Sequence, residues 1–410
     1  MEEWIKCKIG DVCDSISESY KDNASEVVLI NTSDVLEGKC LNHTKTANKS
    51  LKGQFKKSFQ KGDILYSEIR PANKRFAFID FEPKDYIAST KLMVIRNNSK
   101  ISSNYLYYIL KSQSIIKKLQ VIAESRSGTF PQITFSELAN LSIDLPPIST
   151  QGEIVKFLKS LDDKIEVNRR INDNLEQQAQ ALFKSWVVDF EPFKDGGFVE
   201  SEQGMIPKGW RVGIIGDYCN VRSGFAFKSS WWTKDGVEVI KIKNITDNRK
   251  LDMSDCTFVS EDHSKLAQEF ISKPGDLIIA MTGATIGKFC IINSLKPYCI
   301  NQRVGKFFLG ENPTSKLPFI YCLLKTPVVI EEIINRGQGS AQPNISGKDI
   351  ESIDIILPPE NILLNFNKML YDLFEKIINN DNTTLLLENL RESLLPRLMS
   401  GELNLSEITL

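Results

Sequence analysis

The sequence predicts an α+β protein in which two tandem copies of one globular domain are separated by two long antiparallel coiled-coil helices with pseudo-two-fold symmetry. Three observations lead to this fold class: landmarks that recur at a constant distance, short β-favouring runs in each copy, and a heptad pattern after each copy. We expect globular domains over residues 1–150 and 206–362, a central helical spacer over 151–205 and a C-terminal helical spacer over 363–410.

The duplication is visible as short motifs that return in the same order. Trp4 with Gly10-Asp11-Val12-Cys13 returns as Trp210 with Gly216-Asp217-Tyr218-Cys219, an offset of 206 residues. The offset becomes 212 by the last pair, and the later matches are Lys61-Gly62-Asp63 with Pro274-Gly275-Asp276, Tyr86 and Lys91 with Tyr298 and Arg303, Phe130-Pro131-Gln132-Ile133 with Gln342-Pro343-Asn344-Ile345, and Leu145-Pro146-Pro147 with Leu357-Pro358-Pro359. One unit has therefore been duplicated in tandem.

Each copy combines strands and helices. Short runs rich in Val, Ile, Leu and Phe, separated by Gly, Asn and Asp, predict strands over 27–30, 76–79, 237–240 and 277–280. Longer apolar patterns late in each copy predict helices over Ser103–Gln120 and Pro318–Asn335. This mixture predicts an α+β domain.

A heptad follows each Leu-Pro-Pro motif, with apolar residues spaced alternately by four and three. The first seam is Ile154, Leu158, Leu161, Ile165, Asn168, Asn172, Leu175, Ala179, Leu182 and Trp186; the second is Phe366, Leu370, Leu373, Ile377, Asn380, Thr384, Leu387, Arg391, Leu394 and Leu398. Packing of each helix on its own domain would also explain either stripe. Asn168 and Asn380 interrupt both seams at mid-length, and because polar seam residues fix register, they favour pairing of the two helices. A helix of about 33 residues would form a rod of about 50 Å.

The charge distribution separates the globular copies from the rest of the chain. The net charge is −1, but residues 1–150 carry 21 Lys and Arg against 17 Asp and Glu, and residues 206–359 carry 19 against 16. The remaining residues carry 11 against 19, so the basic charge lies in the two copies. Neither a membrane-length apolar run nor a CxxC pair occurs, and we therefore expect a cytoplasmic protein with reduced cysteines and no metal site.

Several segments together resemble one known family. They are 64–71 (ILYSEIRP), 181–190 (ALFKSWVVDF), 204–210 (GMIPKGW), 281–288 (MTGATIGK), 301–304 (NQRV) and 394–401 (LLPRLMSG). In this order the sequence resembles the specificity subunits of type I restriction–modification systems, a bacterial defence, over essentially the whole chain.

The resemblance implies a non-catalytic subunit with two target recognition domains, each reading one half of a bipartite double-stranded DNA target. It implies that the helices space these domains and bind two methyltransferase subunits, and that restriction subunits join this core. Methylation and cleavage, with their S-adenosylmethionine, ATP and Mg, would then belong to the partners, and this chain would bind no cofactor.

Candidate DNA-binding residues fall into two classes. A run without acidic residues from Gly38 to Gly62 suits phosphate contact through Lys52, Lys56 and Lys57, although a solvated surface would look the same. Side chains with directed donors suit base reading, and these candidates are Arg70, Lys74, Arg75, Lys91 and Gln132 in the first copy and Thr282, Thr285, Lys288, Gln302, Arg303, Gln342 and Asn344 in the second. Arg75 matches Lys288 and Lys91 matches Arg303, which favours phosphate contact at those positions because two domains should read different bases. Gln132 and Asn344 adjoin prolines, so a structural role in a turn is an alternative.

Two other classes of function remain open from the residues alone. A self-sufficient DNA methyltransferase would need a Gly-rich cofactor loop and an Asn/Asp-Pro-Pro-aromatic motif, neither of which occurs. A coiled-coil scaffold whose basic domains bind proteins would lack salt-dependent, sequence-selective duplex binding.

Overall fold

The computed structural model describes residues 4–22, 24–48, 54–125, 131–338 and 343–405, which form two compact units. The first unit is Met1–Lys164 with Leu387–Leu410, and the second is Ile165–Leu386. Each unit therefore holds one copy of the repeat and a part of both long helices.

The first unit is built mainly from short strands. These are β1 Ile5–Lys8, β2 Cys13–Ile16, β3 Glu26–Ile30, β4 Val35–Leu36, β5 Lys39–Cys40, β6 Lys45–Ala47, β7 Phe55–Lys57, β8 Ile64–Ser67, β9 Phe76–Phe78, β10 Tyr86–Ser89, β11 Leu92–Asn97 and β12 Ser142–Leu145. Its helices are α1 Ser103–Lys111, α2 Gln113–Glu124, α3 Phe135–Ala139 and the first part of α4 Ile148–Phe183.

Two four-stranded sheets carry this unit. One is antiparallel with the order β2-β11-β8-β9, and all four residues of its inner strand β8 are buried. The other has the order β6-β3-β10-β7, in which β3 and β10 are parallel. β1 pairs with β12, which brings the end of the globular copy back to its start just before α4 begins.

The second unit repeats this plan. Its strands are β13 Phe198–Ser201, β14 Gly204–Pro207, β15 Arg211–Ile214, β16 Asn220–Ser223, β17 Trp232–Thr233, β18 Val237–Ile240, β19 Thr257–Val259, β20 Leu277–Ala280, β21 Phe289–Ile291, β22 Cys299–Ile300, β23 Val304–Phe308 and β24 Asp354–Leu357. Its helices are α5 Ile215–Tyr218, α6 Glu261–Lys265, α7 Leu317–Leu324, α8 Pro327–Gly337, α9 Gly347–Glu351 and most of α10 Glu360–Met399.

The sheets confirm the predicted duplication. The order β16-β23-β20-β21 matches β2-β11-β8-β9 strand for strand, and β18 is parallel to β22 as β3 is to β10. β15 pairs with β24 as β1 pairs with β12. The units differ at the edges of the sheet that contains the parallel pair: the second has β17 beside β19, whereas the first has β7 beside β10.

The repeated Gly-Asp motif begins the inner strand of each antiparallel sheet. Asp63 is buried and accepts hydrogen bonds from the Gln60 main-chain N–H and from the Arg96 guanidinium. Asp276 accepts equivalent bonds from Lys273 N and from Lys306 Nζ. The carboxylate is thus a structural element in both units, although its cation comes from a different position of β11 and β23.

The two long helices run antiparallel within each unit. In the first unit Ile154 and Leu158 of α4 share a core with Leu394, Leu395 and Leu398 of α10. In the second unit Phe183 of α4 contacts Phe366 of α10, with ring centroids 6.0 Å apart. Most of the apolar seam positions are buried, as the heptad predicts.

Buried polar residues form a layer between the helices in the second unit. Asn168 Nδ2 lies 3.4 Å from Thr384 Oγ1, and Asn380 Nδ2 lies 2.8 Å from Asn172 Oδ1. Asn168 and Asn380 are 212 residues apart, as are Asn172 and Thr384, so the two hydrogen bonds are related by the internal repeat. A polar layer of this kind suits a role in setting register, which stays a prediction.

Three helical predictions need correction. The segment 103–120 is two helices, because Ser112 ends α1 and its hydroxyl caps α2 by accepting from Ile115 N. The segment 318–335 is likewise divided before Pro327, which occupies the first position of α8. Near the end of α4, Phe183 is buried instead of Leu182, and Val187, which lies in the π-helical turn Lys184–Val188, is buried instead of Trp186.

No helix among the described residues is both long and apolar enough to span a membrane. Over the same part of the chain, no group of three or more His, Cys, Asp and Glu side chains is arranged to hold a metal ion.

Candidate nucleic-acid interface

The candidate residues of the first unit meet where the chain leaves the inner strand β8. Three main-chain hydrogen bonds hold this place together: Glu68 N to Lys91 O at 3.1 Å, Arg70 N to Pro131 O at 3.0 Å, and Ile133 N to Glu68 O at 2.8 Å. We call residues 68–70, Lys91 and 131–133 the first junction. It brings Arg70, Lys91 and Gln132, which are far apart in sequence, to one end of the sheet.

The second unit has the same arrangement after β20. Met281 N donates to Arg303 O at 3.0 Å, Gly283 N to Pro343 O at 2.9 Å, and Ile345 N to Met281 O at 3.0 Å. We call residues 281–283, Arg303 and 343–345 the second junction. The matching bonds align Arg70 with Gly283, Lys91 with Arg303 and Gln132 with Asn344.

Three polar side chains of the first junction are open to solvent. Arg70, Lys91 and Gln132 are all exposed, and the Lys91 ammonium lies 4.0 Å from the Glu68 carboxylate. Two cationic groups and a side-chain amide thus lie near one end of the sheet, and each can donate hydrogen bonds to phosphate or to base edges.

The turn after the first junction has a strained backbone. Arg70 and Lys74 both adopt positive φ angles, 44° and 52°, on either side of the short helical turn Pro71–Asn73. Glycines occupy the aligned positions of the second unit, Gly283 at 71° and Gly287 at 86°. Non-glycine residues rarely adopt this conformation, so Arg70 and Lys74 are held there by their surroundings.

Neighbouring loops support this turn. Lys74 O accepts from Glu37 N at 2.9 Å, and its ammonium lies 3.2 Å from the Glu37 carboxylate. Arg75 donates to the main-chain carbonyls of Ser33 and Val35, at 3.0 and 3.4 Å. Arg75 therefore fixes the turn to the β4 region, whereas the Lys74 side chain remains partly exposed.

The second junction has a different polar surface. Thr282 is buried and donates to Asn344 Oδ1 at 2.8 Å, and Thr285 donates to the Thr282 carbonyl at 2.9 Å. Because Asn344 accepts with its oxygen, its side-chain NH₂ remains available as a donor. The aligned cation, Arg303, is exposed, as is its neighbour Gln302. Lys288 forms an ion pair with Asp247 at 2.6 Å.

The remaining candidates are not members of the junctions, and two of them lie outside the described residues. Lys56 is exposed on β7. Lys57 donates to the Leu92 carbonyl at 2.8 Å, and burial lowers the pKa of its ammonium. Lys52 and Gln342 lie outside the described residues.

Sequence reasoning missed one group of residues beside the second junction. Phe225, Trp231 and Trp232 form a half-buried aromatic cluster whose neighbours include Lys228, Lys241 and His263. The sequence nevertheless indicates this cluster, since residues 225–232 (FAFKSSWW) place two Phe and two Trp around a lysine.

Comparison with known proteins gives one family over both copies. The family described as the type I restriction modification DNA specificity domain matches residues 1–177 and 207–392. The type I restriction enzyme HindI specificity subunit of Haemophilus influenzae is 33% identical over 472 residues, covering 98% of this chain and 100% of that protein. The MjaIX specificity subunit of Methanocaldococcus jannaschii is 30% identical over 363 residues, covering 85% and 79%.

A solved structure supports the fold. The type I restriction-modification system S subunit from M. genitalium is similar with a TM-score of 0.54 and 17% identity, over 97% of this chain and 96% of that one. At this identity the likeness concerns the fold alone. Because the family matches both copies of the repeat, the chain belongs to the type I restriction–modification DNA specificity family.

Proposed function

We propose that this chain is the non-catalytic, DNA-reading subunit of a cytoplasmic type I restriction–modification complex, in which each unit reads one half of a bipartite target. The observation that carries this proposal is the junction built twice with the same main-chain bonds and different side chains. A constant backbone can present each unit to DNA in the same way. Different side chains at aligned positions can then select different bases.

The two kinds of DNA contact would fall to different residues. Lys91 and Arg303 are aligned, exposed and both cationic, which suits contact with phosphate in both units. Arg70 has no cationic counterpart in the second unit, because Gly283 takes its place. Arg70 and Gln132 in the first unit and Asn344 in the second are therefore proposed to read bases, with the buried Thr282 holding the Asn344 amide in place.

The long helices are proposed to dock two methyltransferase subunits. In the second unit Val167, Ile171 and Leu386 are exposed at 47%, 37% and 59%. Each immediately precedes a seam residue, and in an antiparallel pair such positions flank the seam on one side. An exposed apolar strip on a paired helix suits a protein partner.

Catalysis would then belong to the partners. We propose that the methyltransferase subunits bind S-adenosylmethionine, that restriction subunits joining this core bind ATP and Mg, and that this chain binds none of them. Equilibrium dialysis of the purified chain with labelled S-adenosylmethionine tests this division. Saturable binding to the chain alone would contradict it.

The DNA-reading proposal is tested by selecting duplexes from a random library with the complex of this chain and its methyltransferase. We expect enrichment of two short specified sequences around a gap of fixed length. Gln132→Ala should relax one half of that sequence and Asn344→Ala the other. Relaxation of the same half by both variants, or enrichment of one continuous sequence, would refute the assignment of one half to each unit.

A further inference from the structure

The second unit contains a cluster of aromatic and basic residues with no equivalent in the aligned, described segment of the first. We define the aromatic–basic cluster as Phe225, Lys228, Trp231, Trp232, Lys241 and His263. The aligned segment of the first unit, around residues 17–22 (SESYKD), contains one aromatic residue and two acidic ones. The cluster is therefore a property of one unit and not of the duplicated fold.

Its rings pack closely and carry cations. Trp231 stacks on His263 with centroids 4.3 Å apart and planes 12° apart, and Phe225 is stacked at 6.4 Å from Trp231. Lys228 Nζ lies 5.2 Å from the Trp231 centroid, and Lys241 Nζ lies 4.0 Å from the Trp232 centroid. The ring quadrupole attracts each ammonium, which limits the freedom of these two long side chains.

Main-chain hydrogen bonds hold the cluster beside the second junction. Phe225 N donates to Ile300 O at 2.8 Å, and Phe225 O accepts from Gln302 N at 3.0 Å. Gly224 permits this approach, because a Cβ at that position would lie 2.4 Å from Ile300 O. Arg303, a proposed phosphate contact, follows Gln302 directly.

The two lysines of the cluster differ from Lys243 and Lys288, each of which forms an ion pair. Lys243 pairs with Asp255 at 2.5 Å and Lys288 with Asp247 at 2.6 Å. Among the described residues, no carboxylate forms an ion pair with Lys228 or Lys241. Burial lowers the pKa of the Lys241 ammonium, Lys243 lowers it further, and Asp255, which is paired with Lys243, opposes the shift. An external anion would supply the missing charge.

We infer that the aromatic–basic cluster binds the phosphate backbone of the DNA beside the half-site read by the second unit, through Lys228 and Lys241. Phosphate is favoured over a stacked base because His263 and the lysines already occupy ring faces that a base would need. This inference rests on the proposed function of the second junction. It adds a contact that strengthens binding without selecting sequence.

The test is the double variant Lys228→Gln/Lys241→Gln in the complex with methyltransferase, compared with Lys234→Gln. Lys234 is exposed and close in sequence but is not part of the cluster. Affinity for the selected duplex is measured against salt concentration. Each phosphate contact contributes about 0.9 to the slope of log K against log salt, so the double variant should reduce the slope by about 2. Its affinity should fall about tenfold, with an unchanged selected sequence.

Three outcomes would overturn the inference. Unchanged slope and affinity would leave the lysines with only a packing role. A change in the selected bases would make the cluster a base reader instead of a phosphate contact. An equal loss in Lys234→Gln would show a general charge effect. Absence of selective binding by the unsubstituted complex would instead contradict the proposed function itself. Circular dichroism of each variant checks that its fold is retained.

Discussion

Replacing Arg70 and Lys74 by glycine, singly and together, separates the folding of the first unit from its proposed binding of DNA. Both residues have positive φ angles, and the second unit has glycine at the aligned positions. A turn with glycine at both of these positions therefore already exists in the second unit. We expect the variants to fold as well as the unsubstituted chain and to bind DNA more weakly.

The effect on stability follows from two opposing contributions. A non-glycine residue in the left-handed region costs roughly 1–2 kcal/mol. Glycine increases the freedom of the unfolded chain, which costs about 0.4–1 kcal/mol. The difference is a gain of about 0–1.5 kcal/mol at each site. Lys74→Gly also loses the partly exposed ion pair with Glu37, worth about 0–1 kcal/mol, so its net effect should be near zero.

The effect on DNA binding should be larger and opposite in sign. Loss of an arginine that contacts a base costs about 1–3 kcal/mol, equivalent to about fivefold to about 150-fold weaker binding. The assays are urea unfolding by circular dichroism and titration of the selected duplex with the methyltransferase complex. Lys84→Gly is the matched control. Lys84 is exposed and lies before β10, whereas the first-junction residue Lys91 lies after that strand. Lys84 is therefore at the end of β10 that is remote from the first junction. The Lys84→Gly variant should have a slightly lower free energy of unfolding and an unchanged affinity for the selected duplex.

Two results would refute this reasoning. A loss of more than about 2 kcal/mol in stability for Arg70→Gly would mean that the side chain holds the turn together, beyond the strain it introduces. Unchanged affinity for the double variant, with a retained fold, would mean that neither cation contacts DNA.

Three further predictions concern the ion cluster, the helices and the modularity of the units. Asp162 accepts from Lys111, Arg391 and Tyr108, so Asp162→Asn should cost about 3 kcal/mol by leaving the poorly exposed Lys111 without its ion pair and Arg391 with only Glu392. Burial opposes ionisation of Asp162, but the attraction of Lys111 and Arg391 is stronger and holds the pKa of this carboxyl below its ordinary value. The contribution of Asp162 to the free energy of unfolding should therefore be complete above the ordinary pKa and be lost as the pH falls through the lowered pKa. Urea unfolding at several pH values checks this. Val167→Asp with Leu386→Asp should weaken methyltransferase binding in size-exclusion chromatography, whereas Gln177→Asp, at an exposed position outside the seam, should not; equal binding by all variants would contradict docking on this strip. Exchange of residues 206–359 for those of a relative should alter one half of the target, and a change in both halves would contradict independent reading.

The duplication made much of the fold predictable. Predicted strands over 27–30, 76–79, 237–240 and 277–280 all lie in sheets, because buried apolar runs between turn residues have few alternatives. The helix boundaries at Ser112 and Pro327 were missed. Both carry readable signals, a serine that caps a helix and a proline at a first helical position.

The junctions could be predicted in part. Comparison of the copies correctly aligned Lys91 with Arg303 and Gln132 with Asn344, because the backbone bonds that hold them do not depend on side-chain identity. Comparison of the two copies in the sequence did not reveal the side-chain contacts that differ between them. The buried Asp63 pairs with Arg96, whereas Asp276 pairs with Lys306, and no repeat pattern specifies such an exchange of partners. The sequence around Arg70 likewise gives no indication of its positive φ angle, although the aligned residue of the second copy, Gly283, is of the type that favours one.

Each unit is proposed to read one half of a divided DNA sequence. The most direct measurement is to co-express this chain with its neighbouring methyltransferase and map methylated bases across host DNA by single-molecule sequencing. If each unit reads one half, the methylated sites will share one motif with two short specified halves around an unspecified gap of fixed length. A continuous motif, or no methylation by a complex that has assembled, would contradict this proposal.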